Sequence, residues 1–171
     1  MAAKELLPVK GKNKYLLFRL LEDSKTKVAS KLLLQTEHEW SFERDQEFMK
    51  TKDGAVIATG GMEVSLSIAA VSAYDEVNEM LYKSVAEDKM LEVWEVDITQ
   101  PTSGGKYKGR YARGKLSSWT LPSTVDGLEE LDTEMAIEGI PVDEEVTLTA
   151  EQKLLIDAAY GFRDTTISTD E

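Results

Sequence analysis

Between residues 35 and 70 the chain carries two stretches of strict polar–apolar alternation around a long polar insert, and this arrangement constrains the fold more than any other feature. In the first stretch His38, Trp40 and Phe42 alternate with Glu37, Glu39, Ser41 and Glu43; in the second, Met62, Val64, Leu66 and Ile68 alternate with Glu63, Ser65 and Ser67. Successive side chains on a strand point to opposite faces, so each stretch has one apolar face and one hydroxylic, acidic face. The pair reads as a half-buried hairpin. Residues 44–61 between the arms hold a Lys52-Asp53-Gly54 turn and a Gly60-Gly61 re-entry point. This tongue has Phe48, Met49, Val56 and Ile57 to bury and no local core to receive them. It is expected to be disordered in a lone subunit and to order against another copy, with Arg44, Lys52 and Asp53 joining those apolar residues in the inter-subunit contact.

Composition narrows the classes that remain. A chain of 171 residues that is 42% hydrophobic has enough apolar surface for one globular core. With 20 basic against 32 acidic residues and a formal charge of −12, it is poorly suited to gripping phosphate backbones, a task that falls to Lys and Arg. The absence of cysteine removes disulfides, thiolate metal sites and cysteine nucleophiles together. Apolar runs are short and interrupted, as by Arg19, so neither a signal peptide nor a membrane span is expected.

Residues 1–13 read as an N-terminal arm. Residues 14–21 and 31–35 carry leucines at consecutive positions, the pattern of strands covered on both faces or of short edge pieces. Ser72 with Asp75 three residues later reads as a capping box opening a helix over 73–87, with Tyr74, Val77, Met80, Leu81 and Val85 as its apolar stripe. A strand follows over 90–98, with Met90, Trp94, Val96 and Ile98 on one side, then a glycine turn and an antiparallel partner over 106–119. Residues 129–139 alternate Leu131, Thr133, Met135 and Ile137 against Glu130, Asp132, Glu134, Ala136 and Glu138. A short strand over 145–148 leads to Thr149, which caps a helix over 150–160 with Gln152 at its third position and Gly161 behind it. Residues 162–171 read as a flexible tail. The fold class is mostly β: an antiparallel sandwich or small barrel in a single domain, with a flanking helix and a long projecting hairpin. Trp40, Phe42, Val64, Leu66, Trp94 and Val96 are expected in the core, with Val77, Met80 and Leu81 laid against them.

Residue types that carry chemistry are scarce. The single histidine, His38, sits on an apolar strand face beside Trp40 and Phe42 and reads as a packed residue. Nothing in the spacing supports a nucleophile elbow, a zinc set or a phosphate-cradling loop, so no catalytic residue, cofactor or metal is expected. Gly60-Gly61 and Gly104-Gly105 read as bulge or turn. The carboxylates Asp88, Glu92, Glu95 and Asp97, or Glu130, Asp132 and Glu134, fall on alternate strand positions about 7 Å apart, which makes stripes and not a convergent cage. If Glu37, Glu39, Glu43 and Glu63 share a sheet with Glu130, Asp132 and Glu134, that sheet is negative on one side and apolar on the other. A ring of such sheets would enclose an acidic channel that nucleic acid could traverse without sticking.

The run Glu37-His38-Glu39-Trp40-Ser41-Phe42-Glu43 within residues 34–45, together with residues 51–54, 60–68, 75–85, 91–97 and 114–119, resembles the major tail protein of long-tailed phages and prophages of Gram-positive bacteria. The matches fall in the expected order over nearly the whole chain. The resemblance implies a β-sandwich or barrel with a flanking helix, forming homo-hexameric rings that stack into a tail tube in the virion. It implies no catalytic residue. The implied partners are further copies of the chain, the tape-measure protein, the tail terminator, distal tail and baseplate proteins, and double-stranded DNA in transit without specific binding. Two other readings stay open: the tube protein of a tailocin or secretion system, and a small acidic binding module or carboxylate-dependent hydrolase, which would need a pocket of convergent polar groups.

Overall fold

Consecutive leucines set the first layer of the architecture. In strand β1 (Lys14–Leu20) Leu16, Phe18 and Leu20 face one way and Leu17 the other, and all are buried, so the strand is covered on both faces. The computed structural model describes residues 8–157. Most of the arm at 1–13, the Gly161 cap and the tail at 162–171 lie outside them. After β1 come β2 (Ser30–Lys31), β3 (Gln35–Thr51), β4 (Gly54–Val71), helix α1 (Glu76–Ala86), β5 (Leu91–Pro101), β6 (Tyr107–Leu116), β7 (Glu130–Ile137), β8 (Val142–Val146) and helix α2 (Ala150–Asp157). All pairings are antiparallel, in the order β2-β1-β5-β6-β7-β4-β3, with β8 beside β6.

Strand β6 pairs with β5 along one edge and divides the other edge between two partners, its first half with β8 and its second half with β7. Gly114 sits where β6 meets β7, and a Cβ there would stand 2.0 Å from the Ala136 carbonyl oxygen, so only glycine permits the approach. The sheet curls around a core of Leu16, Phe18, Leu66, Ile68, Leu91, Val93, Leu131 and Met135. Helix α1 adds Val77, Met80 and Leu81 to it, as its periodicity predicts. A second, smaller core lies on the outer face of β1 and β5, where Leu17 and Val96 pack with Leu148 and Ile156 under β8 and α2. Thr149 and Gln152 exchange hydrogen bonds at the start of α2, the reciprocal box read from the sequence.

Several expectations need correction. The cap of α1 is Asp75, whose Oδ1 accepts from the Asn78 backbone and side chain; Ser72 is held away by its N–H bond to the Glu129 carbonyl. Tyr74 therefore precedes the helix and is fully exposed, and Val85 is exposed and outside the core. Trp94 and Val96 pack in the outer core, not against α1; the β5 residues that share the inner core with the helix are Leu91 and Val93. Phe42 is 45% exposed. The last strand starts directly after Pro141, earlier than read, because Arg110 opposite Asp143 extends the β6 pairing in that direction.

Candidate functional site

The hairpin begins inside the barrel and leaves it. Strands β3 and β4 stay paired from Gln35↔Ala70 to Thr51↔Gly54, so residues 44–61, expected as a disordered tongue, form a regular two-stranded ribbon. Backbone pairing supplies the order that the missing core cannot. The turn leaves Lys52 and Asp53 between the last pair, with Gly54 at φ 127° and the Thr51 hydroxyl donating to the Gly54 carbonyl at 2.7 Å. Gly60 and Gly61 stand opposite Asp45 alone, a bulge where the ribbon leaves the barrel. Beyond it Phe48 pairs with Ile57 on one face and Met49 with Val56 on the other, and all are exposed, Phe48 by 71%. The ribbon thus presents apolar side chains on both faces. Arg44 lies at its base, reaching the Gly60 carbonyl, and Lys52 and Asp53 lie at its tip.

On the barrel, registers bring the acidic strands together. Asp132 pairs with Ala69 and Ala69 with Glu37; Glu134 pairs with Ser67 and Ser67 with Glu39; Glu43 pairs with Glu63. Glu37, Glu39, Glu43, Glu63, Glu130, Asp132 and Glu134 therefore share the outward face of β7, β4 and β3, with Ser41, Ser65, Ser67, Ala69 and Ala136 between them. The adjacency that spacing could not supply is a property of the fold. All of these carboxylates are exposed, and none is in ion-pair contact with a basic group among the described residues.

The carboxylates of β5 have a different role. Glu92 accepts from the Arg19 guanidinium at 2.7 Å and the Tyr111 hydroxyl at 2.7 Å on the outer face. Burial, with the hydrogen bond to Glu92, pushes the Tyr111 hydroxyl up to about 12. Glu95 faces the opposite way, into the barrel mouth, and receives hydrogen bonds from His38 Nε2 at 2.6 Å and Trp40 Nε1 at 2.8 Å, with the Lys14 ammonium 3.6 Å away. The Leu16 N–H donates to Gln35 Oε1, which turns the Gln35 amide nitrogen toward His38 Nδ1 and leaves Nε2–H to donate to Glu95. Burial alone would raise the Glu95 pKa; the His38 and Trp40 hydrogen bonds and the Lys14 charge outweigh it and bring the value down to about 2. The Arg110 guanidinium lies over Trp40 and Phe42 at 5.4 and 5.2 Å and pairs with Asp143 at 2.7 Å.

β3 and β5 are far apart in the strand order, so this polar cluster joins the open edge of the sheet to its middle at the base of the hairpin. His38 is a packed residue, as expected. Glu95 and Gln35 were missed as its partners, and Arg110 as the cation over Trp40 and Phe42, although a glutamate in phase with Leu91 and Val93 was a visible signal of a buried carboxylate. Phe42, expected in the core, is a half-open shelf beneath Arg110.

An antiparallel sheet with one layered side, one bare acidic side and a projecting apolar hairpin places the described residues in a mostly β class of protein. Residues 8–143 match the model of the phage tail tube protein family. The chain is 30% identical over 143 residues to a protein assigned to the tail of Staphylococcus phage phiMR25, a match covering 81% of this chain and 74% of that one. Among solved structures it resembles the SPP1 tail tube protein with a TM-score of 0.78 at 15% identity, over 93% of this chain and 91% of that one. It also resembles a chain from the tail of an empty gene transfer agent particle refined with C6 symmetry, with a TM-score of 0.60 at 15% identity, over 79% of this chain and 98% of that one. The chain belongs to the phage tail tube protein family, and it is a structural component of the virion tail.

Proposed function

We propose that copies of this chain close into rings of six that stack into a hollow tube, with the acidic face of β7, β4 and β3 turned to the bore and the β3–β4 ribbon reaching an adjacent copy. The contiguous acidic face carries this reading. Carboxylates without counter-charges raise the negative potential of a concave wall and disfavour phosphate binding, which suits a conduit through which DNA must slide. Six-fold order is supported by the C6 symmetry of the gene transfer agent tail that shares the fold. Among the described residues the outer edge of β3 has no partner strand, and an open edge of that length suits pairing with a neighbour.

In this reading the tube holds the tape-measure protein during assembly, meets a tail terminator at one end and distal tail or baseplate proteins at the other, and passes double-stranded DNA without specific binding. Arg44, Phe48, Met49, Lys52, Asp53, Val56 and Ile57 make the inter-subunit contact, and the protein performs no catalysis. Replacing Glu39, Glu43 and Glu63 together by Lys tests the bore. On an inner wall the changes repeat around every ring, so DNA ejection slows, most at low ionic strength. Virions that carry the lysines and eject at the normal rate in low salt would place this face on the outside.

A further inference from the structure

The ribbon needs a receptor, and the far end of the same hairpin supplies one. Strand β4 runs from Gly54 at the ribbon tip to Val71 at the opposite end of the barrel. There Val71 pairs with Glu130 and donates to the Leu34 carbonyl, and Ser72 donates to the Glu129 carbonyl at 2.7 Å, which ties the α1 approach to the β6–β7 loop (residues 117–129). This end carries an unusual set of exposed apolar side chains: Leu34 at 60%, Leu128 at 74%, and Tyr74 and Val125 fully open. It is also acidic. Residues 117–130 contain Asp126, Glu129 and Glu130 and no lysine or arginine, and residues 72–78 contain Asp75 and Glu76 and none. The ribbon tip has the complementary character, with Lys50 and Lys52 flanking the turn against Asp53 alone and the apolar pairs directly behind.

One chain cannot join the two. They sit at opposite ends of strand β4, 18 residues long, a span on the order of 60 Å. A contact between unlike patches on two copies is heterologous and leaves a fresh patch at each end; directed along the long axis of the hairpin it stacks copy on copy without closing, as a tube of indefinite length requires. Resting on the reading that the ribbon joins copies, we infer that the ribbon tip of one copy docks on the far end of the next, its apolar pairs covering Tyr74, Val125 and Leu128 and its Lys50 and Lys52 facing Asp126 and Glu129.

Full-length variants separate this from the underlying reading, with thermal melting to establish that each subunit is folded and electron microscopy to score tubes. A chain lacking residues 46–59, the Val125→Asp/Leu128→Asp variant and the Lys50→Glu/Lys52→Glu variant should each fold and fail to form tubes. Combining Lys50→Glu/Lys52→Glu with Asp126→Lys/Glu129→Lys should restore them. Normal tubes from Val125→Asp/Leu128→Asp, or no rescue by the charge swap, would overturn this docking site while leaving the ribbon's role intact. Normal tubes from the chain lacking residues 46–59 would overturn that role, and the docking site with it.

Discussion

The two halves of this barrel are built from the same antiparallel ladder and finished in opposite ways. On β1, β5 and β6 the outward positions carry Leu17, Trp94, Val96 and Tyr107, and Leu148 with Ile156 of α2 packs over this cluster. On β7, β4 and β3 the outward positions carry mostly glutamate, aspartate, serine and alanine, and among the described residues no helix lies over them. A strand exposes alternate residues to each side, so the identity of every second residue decides whether a face acquires another layer or stays bare. The layered half buries its outer face, and the bare half leaves its outer face to solvent, the face proposed above to line the bore.

The comparison breaks most sharply in the shared inner core. Leu66 of the bare half is fully buried, and Leu66→Ala should cost about 2–5 kcal/mol, read as a lowered denaturation midpoint. Trp94 on the layered half sits between Arg19 and Tyr111, and Trp94→Ala should cost less than Leu66→Ala because the indole is only partly buried. A larger loss at Trp94 would mean that the outer layer, and not the barrel interior, holds the fold together.

Glu95 sharpens the comparison through pH. Its carboxyl falls from 4.5 to about 2 on folding, so the charged form is favoured in the native state. That contribution, about 3 kcal/mol from the size of the shift, is present above pH 4.5 and is lost as pH falls toward 2. Glu95→Gln should lower stability at pH 7 and flatten its decline between pH 4.5 and 2, measured by denaturant unfolding across that range. An unchanged pH profile would remove Glu95 from the clasp between β3 and β5.

How much of this was legible in the sequence follows from the physics of each element. Consecutive leucines at 16 and 17 announced a strand covered twice, alternation at 37–43 and 62–68 announced a half-buried hairpin, and Thr149 with Gln152 announced a helix start, because each of these signals is local. The exposure of Phe42 was not legible, since it depends on where the ribbon leaves the barrel and on Arg110 from another strand. Asp75 displaced Ser72 as the cap for the same reason: a backbone bond to Glu129, more than fifty positions away, holds Ser72 in the sheet. The acidic residues of the candidate site were legible one strand at a time, and their union into one face required the β3-β4-β7 pairing. The order of residues 44–61 was misread because apolar content was weighed and backbone pairing was not.

On the bare face the smallest change in stability is expected. Exposed carboxylates without ion-pair partners contribute little to folding, so Glu39→Lys, Glu43→Lys and Glu63→Lys together should shift stability by less than about 0.5 kcal/mol per site. A thermal melt of the folded subunit checks this. A large loss would show that the face is structural and not kept for transit.

The orientation of the two halves in the assembled tail is the central claim, and a cryo-electron microscopy reconstruction of tubes grown from this chain tests it most directly. In that map Glu37, Glu39, Glu43, Glu63, Asp132 and Glu134 should stand on the wall of the bore, with β8 and α2 on the outer surface. A map with α2 against the bore and those carboxylates outside would contradict it.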